Sequence, residues 1–273
     1  MFMLMLRTSV LSWSFTGDPV QNEQSYDLVG RKLFVAIPAY DFKVQVKMLG
    51  SLIQFDRMCG GHGIGFELGT ISGCSVVSRA RNLLANDFLA SECDTMLFID
   101  ADMTFDPNDI LRLLAWSSDS KRNIVGGVGC ARKKQATYYS HLDKDEEGNL
   151  LMDRMGLVRA KRMGTGFMMI QRQVIETLVN AHPEWQYYDA SADRTLHSLF
   201  DFQSTPEGYI GEDYLFCDRA RAHGFEVWID PTIKLGHMGM HEFEGAFGDD
   251  ILYPMIDAAR KREEEEPLRI AYG

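Results

Sequence analysis

A short apolar run near the middle of the chain, Met96-Leu97-Phe98-Ile99, leads directly into Asp100-Ala101-Asp102. Cys93-Asp94 precedes this run and Pro107 follows it. A continuous apolar segment of this length is typical of a strand buried on both faces, as strands are in parallel sheets. We therefore expect an open α/β sheet, with two carboxylates beyond the carboxyl end of one strand, where such sheets bind ligands.

These two carboxylates are candidate ligands for a cation. On an extended strand residues i and i+2 point the same way, so Asp100 and Asp102 are expected to reach one ion. Hard oxygen ligands with open positions suit Mg²⁺ or Mn²⁺ that carries substrate phosphates. The structural alternative is that Asp102 or Asp106 caps the helix that follows.

Strand and helix patterns alternate from residue 32 to about residue 128. Apolar runs predict strands at residues 32–40, 64–68 and 124–128, and helical spacing predicts helices at residues 44–59, 78–89 and 107–116. This alternation predicts a mostly parallel central sheet flanked by helices, and the looser patterns after it predict a small antiparallel portion. We expect one domain at residues 31–240, a leader or edge segment at residues 1–30 and a C-terminal extension at residues 241–273.

Charge and cysteine content narrow the class of partner. The net charge is −11, which argues against a broad nucleic-acid-binding surface. A basic cluster at residues 154–162 leaves a local nucleic-acid-binding groove as an alternative. Five cysteines without metal-type spacing predict buried, reduced thiols in a cytoplasmic protein. The apolar runs are too short for a transmembrane helix, so any association with a membrane is expected to be peripheral.

His237, at the end of Lys234-Leu235-Gly236-His237, is a candidate third ligand to the cation. A neutral imidazole is an acceptable ligand for Mn²⁺ and a less natural one for Mg²⁺. His241, four residues further on, is the competing candidate. The structural alternative is a histidine whose hydrogen bonds are satisfied beside a strand end.

Two adjacent acids, Glu212-Asp213, follow Gly211 at the predicted start of a helix. Carboxylates are favoured there by the helix dipole and by free backbone N–H groups, which is a sufficient structural explanation for one of them. The other is a candidate general base that takes a proton from a hydroxyl nucleophile.

Two further segments are candidates for binding an anion or a sugar. Ser78-Arg79-Ala80-Arg81-Asn82 begins a helix, and helix starts and arginine forks both bind phosphate. Gly164-Thr165-Gly166 allows a ligand to approach the backbone closely. The structural alternatives are a solvated helix face and an ordinary turn.

In their order along the chain these segments resemble the glycosyltransferases of GT-A fold, in particular the broad family 2-like group with an Asp-x-Asp motif. The resemblance covers about residues 32–240. The matching segments are Val35-Ala36-Ile37-Pro38-Ala39-Tyr40, Ser78-Arg79-Ala80-Arg81-Asn82, Leu97-Phe98-Ile99-Asp100-Ala101-Asp102, Gly164-Thr165-Gly166-Phe167, Gly211-Glu212-Asp213-Tyr214-Leu215-Phe216-Cys217, and Ile229-Asp230-Pro231 through Gly236-His237.

The resemblance implies a GT-A (Rossmann-like) sheet and a nucleotide-sugar donor, UDP-linked or GDP-linked, whose diphosphate is held by Mn²⁺ or Mg²⁺. It implies metal ligation by Asp102 with help from Asp100 and His237, and Asp213 as general base, with Glu212 as second candidate and inversion at the anomeric carbon. It also implies donor contacts along the chain. These contacts are Pro38, Ala39, Tyr40, Asp41, Arg79, Asn82, Asp100, Ala101, Gly164, Thr165 and Gly166.

Two other functions stay open. A nucleotidyltransferase on a related sheet also uses carboxylate-held Mg²⁺, but it relies on a glycine-rich loop with a basic residue, which Pro38-Ala39-Tyr40-Asp41 lacks. A non-catalytic module that binds nucleotide-sugar or glycan would keep the fold without the chemistry. The acceptor also stays open among a glycan, a lipid carrier, a protein and a modified nucleic acid, the last disfavoured by the acidity of the chain.

Overall fold

The computed structural model describes residues 3–7, 10–14, 24–132, 137–239 and 242–270. Its helices are α1 (Val46–His62), α2 (Val77–Ala90), α3 (Pro107–Trp116), α4 (Arg172–Ala181), α5 (Glu212–Ala222) and α6 (Tyr253–Ile270). Its strands are β1 (Met3–Arg7), β2 (Val10–Ser14), β3 (Gln24–Tyr26), β4 (Lys32–Ala39), β5 (Gly65–Ser72), β6 (Thr95–Ile99), β7 (Met103–Thr104), β8 (Ile124–Gly126), β9 (Ser140–Leu142), β10 (Val158–Met163), β11 (Phe167–Gln171), β12 (Gln186–Asp189), β13 (Arg194–His197), β14 (Gln203–Thr205), β15 (Gly208–Ile210), β16 (Val227–Ile229), β17 (Lys234–Met238) and β18 (Glu242–Ala246).

A mixed sheet forms the centre of the molecule. Among the described residues its strand order is β5-β4-β6-β11-β8-β16-β10-β9. The pairings of β4 with β5, β4 with β6 and β8 with β16 are parallel, and the other four are antiparallel. Six of these eight strands therefore run in one direction, and β10 and β11 run in the other. The predicted α/β class, with a mostly parallel sheet and a small antiparallel portion, is confirmed.

Helices cover both faces of this sheet. On one face α1 and α3 pack on side chains such as Val35 and Leu97. On the other face α2, α4 and α5 pack on side chains such as Phe98 and Ile170. All five residues of β6 are buried, as expected for a strand with apolar neighbours on both sides.

The β6–α3 connection is where local sequence positions the functional residues. Strand β6 ends at Ile99, and the turn that follows is closed by a hydrogen bond from the Met103 N–H to the Asp100 carbonyl. Asp106 is the N-cap of α3, and its carboxylate accepts a hydrogen bond from the Asn108 N–H at 2.8 Å. Asp106 is therefore the residue that caps α3, and Asp102 is not the helix cap.

Smaller antiparallel sheets surround the central one. They consist of β1-β2-β3, β12-β13, β14-β15 and β18-β17-β7. The third strand of the last sheet, β7, directly follows the Asp100–Asp102 turn, so this small sheet carries β17 to the edge where the parallel strands end. In the part of the chain that the structure describes, no helix has both the length and the apolar character needed to cross a bilayer.

Gly126, at the end of β8, gives a test of this packing. A Cβ at Gly126 would lie 2.3 Å from the Phe167 carbonyl oxygen, so an alanine there must displace backbone. We expect Gly126→Ala to lower the free energy of unfolding by about 3 kcal/mol, the cost of overpacking a rigid core. Gly50→Ala is the matched control: a Cβ at Gly50 in α1 meets nothing within 4 Å, so it should stabilise by roughly 0.5–1 kcal/mol. Urea midpoints measure both, and equal midpoints would contradict the packing described here.

Candidate active site

A cleft of about 600 Å³ opens at the carboxyl ends of β4 and β6. This volume lies in the range of small-molecule sites. It is lined by Pro38, Ala39, Tyr40, Asp41, Lys43, Gln45, Cys74, Ser75, Val77, Ala80, Arg81, Asp100, Ala101, Asp102, Arg132 and Met238. The residues at the carboxyl end of the first predicted strand, with Asp41 after it, and the whole Asp-x-Asp segment therefore share one cleft.

Asp100 and Asp102 line this cleft with different partners. The Asp100 carboxylate accepts a hydrogen bond from Arg81 Nη2 at 3.1 Å. The Asp102 Oδ2 atom forms an ion pair with Arg132, whereas Asp102 Oδ1 is buried without a hydrogen-bond partner. The expectation that both carboxylates point the same way along a strand is wrong, because the strand ends at Ile99 and the two acids lie in a turn.

His237 lies next to Asp102 because β17 pairs with β7. His237 is opposite Met103 in the register, and the Met238 N–H donates to the Asp102 carbonyl at 2.8 Å. His237 Nε2 then lies 3.5 Å from Asp102 Oδ2. His241, the competing candidate, lies outside the described residues.

The hydrogen bonds of His237 determine which ring nitrogen carries its proton. His237 Nδ1 lies 3.0 Å from the carbonyl oxygen of Cys130, which can only accept, so Nδ1 is the donor. Burial lowers the pKa of the imidazole and favours its neutral form. The lone pair of Nε2 therefore faces the Asp102 carboxylate. Two acceptors face each other across 3.5 Å, an arrangement that a cation between them would stabilise.

The residues fit a divalent cation as a partial site. Asp102 supplies a hard oxygen, and His237 supplies a nitrogen whose ring is oriented by a backbone carbonyl, as is usual for a ligating histidine. Among the described residues no group of three His, Cys, Asp or Glu side chains is arranged to enclose a metal. The predicted set of Asp100, Asp102 and His237 is thus not assembled around one point, since Asp100 is turned to Arg81.

Arg81 connects two acidic residues of the site. Its guanidinium is buried and donates to Asp100 Oδ1 at 3.1 Å and to Glu212 Oε1 at 3.3 Å. The carboxylate after β6 and the acid at the start of α5 are therefore joined through one cation. Glu212 itself is buried, which makes this partner necessary.

Arg79 and Asn82 are placed away from the cleft. Arg79 forms two hydrogen bonds with Asp189, at 2.6 and 2.8 Å. Asn82 is buried, and its side-chain amide donates to and accepts from the backbone of Phe200, both at 2.8 Å. Helical spacing explains the difference, since residues i and i+3 share a face. Arg79 and Asn82 face Asp189 and Phe200, while Val77, Ala80 and Arg81 face the cleft.

The Gly164-Thr165-Gly166 segment lies between the two acidic positions. A Cβ at Gly164 would lie 3.5 Å from Asp213 Oδ2, and one at Gly166 would lie 3.2 Å from Asp100 Oδ2. The Thr165 hydroxyl is buried without a hydrogen-bond partner. The antiparallel pairing of β11 with β6 puts the segment there, since Phe167 is opposite Ile99.

Asp213 has the electrostatics of a base that operates near neutral pH. Burial, and secondarily the Glu212 carboxylate, raise its pKa to about 6. The Tyr214 N–H donates to Asp213 Oδ1 at 2.8 Å, which orients the carboxylate. Glu212, in contrast, is held by Arg81. The geometry distinguishes the two predicted acids: Glu212 is an ion-pair partner and Asp213 has no such partner among its described contacts.

Arg132 is a cleft residue with a direct contact to Asp102 that sequence reasoning did not single out. It follows Cys130-Ala131 shortly after β8 and begins a basic run that continues as Lys133-Lys134. A basic run directly after a strand of the central sheet was the available signal. The two lysines lie outside the described residues, whereas the Arg132 guanidinium pairs with Asp102.

Comparisons with known proteins find only distant structural neighbours of this chain. No family model matches the chain, and no curated protein matches it. Among solved structures, GalNAc-T7 with UDP, GalNAc and Mn²⁺ is similar at 12% identity and a TM-score of 0.45, over 77% of this chain and 44% of that one. TarS (residues 1–349) of S. aureus in complex with UDP-GlcNAc is similar at 11% identity and a TM-score of 0.41, over 73% of this chain and 56% of that one.

Both neighbours are glycosyltransferases of GT-A fold. The chain spans about half the length of these neighbours. At such identities and TM-scores the function has to be argued from the residues of the cleft.

Proposed function

We propose that this protein is a divalent-metal-dependent glycosyltransferase that moves a sugar from a nucleoside-diphosphate sugar to an acceptor hydroxyl. A UDP-sugar is the favoured donor and a GDP-sugar the alternative. The observation that carries the proposal is the pair of acceptors Asp102 and His237, which face each other where Asp102 lines a cleft large enough for a nucleotide.

Asp102 and His237 would hold Mn²⁺ or Mg²⁺ together with oxygens of the donor diphosphate. When bound, such an ion offsets the negative charge that grows on the departing diphosphate. The unpartnered Asp102 Oδ1 supports this assignment: a buried carboxylate oxygen without a hydrogen-bond donor is costly, and an ion bound at Oδ2 of the same carboxylate would lower that cost. Mn²⁺ is favoured by the imidazole ligand.

The donor nucleotide would lie along the cleft. Pro38, Ala39, Tyr40 and Asp41 line the side where a nucleoside fits. The start of α2 has no side-chain cap, so its free N–H groups are available to a phosphate. Asp100 would be kept in place by Arg81 and act on the ribose or the cation.

Asp213 would accept the proton of the acceptor hydroxyl as that oxygen attacks the anomeric carbon. Its carboxylate is half-buried and has a pKa near the working pH, which is the property that a general base needs. A base on the face of the sugar opposite the diphosphate gives inversion, and we propose that outcome. Gly164, beside the carboxylate, leaves room for an acceptor to approach.

Ligand-dependent thermal stability tests the proposal directly. UDP, GDP, dTDP, CMP and ADP would each be added with Mn²⁺, Mg²⁺ or EDTA. A ligand at about 100 times its Kd stabilises the native state by about 2.7 kcal/mol, which for a domain of this size raises Tm by roughly 5–10 °C. We expect one nucleoside diphosphate, UDP first, to produce this shift with Mn²⁺ and not with EDTA. A Tm shift that is equally large in EDTA, or the absence of a Tm shift with every nucleotide, would refute metal-dependent donor binding.

A further inference from the structure

Two side chains lie beside the same oxygen atom of the candidate metal site. Asp102 Oδ2 is the atom that forms the ion pair with Arg132 and that lies 3.5 Å from His237 Nε2. A divalent cation between Asp102 and His237 would need this same oxygen. The guanidinium of Arg132 and such a cation would therefore compete for it.

The Arg132 side chain can leave Asp102 while the backbone beside it stays paired. The Ala131 N–H donates to the Thr137 carbonyl at 2.7 Å, and Cys130 forms a β-bridge with Tyr138. The Arg132 side chain is 44% exposed, so few packing contacts hold it in one rotamer. Its long flexible stem lets the guanidinium move while the backbone stays in place.

We propose that Arg132 is an exchangeable cation: it neutralises Asp102 in the free protein and transfers to the donor diphosphate when the divalent ion takes its place. The inference rests on the proposed function. In the free protein Arg132 neutralises Asp102, as Lys43 and Arg81 pair with Asp41 and Asp100 in the same cleft. In the complex the planar fork of arginine matches phosphate oxygens, and Arg132 already lines the cleft that would hold them.

This exchange predicts opposite effects of one substitution on two affinities. In Arg132→Gln the metal no longer competes with a guanidinium, so Mn²⁺ should bind the nucleotide-free protein more tightly, by roughly 2- to 5-fold, as expected for loss of an exposed ion pair. UDP at saturating Mn²⁺ should bind more weakly, by roughly 10- to 100-fold, as expected for loss of a charge-assisted bond to phosphate. Mn²⁺ affinity is read from the EPR signal of free Mn²⁺, and UDP affinity by calorimetry, so neither depends on turnover.

Lys43→Gln is the matched control. Lys43 lines the same cleft and is equally cationic, but its nearest acid is Asp41 at 3.8 Å and not Asp102. If only the net charge of the cleft mattered, the two variants would gain the same Mn²⁺ affinity. Exchange at Asp102 requires a larger gain in Arg132→Gln than in Lys43→Gln. Equal behaviour of the two variants, or weaker Mn²⁺ binding in Arg132→Gln, would overturn the inference. If the unaltered protein binds neither Mn²⁺ nor UDP, the proposed function fails instead.

Discussion

Asp102→Asn is expected to abolish metal-dependent turnover while the protein stays folded. The substitution removes the charge that would hold the cation and leaves an amide of the same size in the turn. A catalytic metal contributes several kcal/mol of transition-state stabilisation, so we expect kcat/KM to fall by roughly 10³-fold or more. The measurement is nucleotide-sugar turnover with Mn²⁺, together with the metal-dependent UDP shift in Tm, which should disappear.

The matched control for this variant is Asp106→Asn, an acid four residues away on the same connection. Asp106 caps α3 through the Asn108 N–H and is not part of the cleft, and asparagine is as good an N-cap as aspartate. It should keep both turnover and the UDP shift. Should Asp102→Asn retain turnover of each nucleotide-sugar that the unaltered protein uses, the metal assignment is wrong.

The order of the elements and the edge that carries the site could be predicted, because both follow from local patterns. The buried run that becomes β6 and the helix that becomes α3 have apolar periodicities that the surrounding structure reinforces. Parallel strands end at one edge, so acids that follow such strands gather there. Asp102 lines the cleft, as this rule predicts, and His237, the candidate third ligand, lies beside it.

Pairing within the sheet could not be predicted. β11 is buried along its whole length, and such a run fits a parallel or an antiparallel position equally well. It lies between β6 and β8 and runs against both. That orientation brings Gly164 and Gly166 to the acidic positions, a consequence of long-range pairing and not of the glycines themselves.

The rotation of α2 about its own axis also could not be predicted from the sequence. A helix start with two arginines and an asparagine predicts an anion site, but only the packing of α2 on the sheet decides which side chain faces the cleft. Arg81 does, and Arg79 and Asn82 bind Asp189 and the backbone of Phe200 instead. The end of β6 at Ile99 is a similar case, since a strand that continued through Asp102 would have aligned the two acids.

Asp213→Asn is the second substitution with a large expected effect. If Asp213 takes the proton of the acceptor, its amide analogue should lower kcat by roughly 10²- to 10⁴-fold, the usual contribution of general base catalysis. Donor binding should be preserved, because Asp213 does not line the nucleotide cleft. Asp218→Asn is the control, since Asp218 lies on the same helix and pairs with Arg162 outside the cleft. Single-turnover rates at saturating donor separate the chemical step from binding.

The raised pKa of Asp213 sets the sign of two pH dependences. The base must be ionised, so kcat/KM of the unaltered protein should rise with pH up to about 6 and then level off. The contribution of Asp213 to the stability of the fold should instead fall as the pH rises. Because the folded-state pKa lies above the ordinary value of 3.8, this group stabilises the fold fully below pH 3.8, and that contribution is lost as the pH rises through about 6.

At pH 7 the ionised, half-buried carboxylate is therefore a cost to the fold, on the order of 1–3 kcal/mol, that Asp213→Asn should remove. The variant is expected to be more stable and less active at once, a combination that a substitution acting through misfolding cannot produce. Urea midpoints at pH 5 and pH 7.5 would show it, since the gain should be larger at the higher pH. A variant that loses activity and stability together would argue that Asp213 supports the fold and that the base lies elsewhere, with Glu212 as the first candidate.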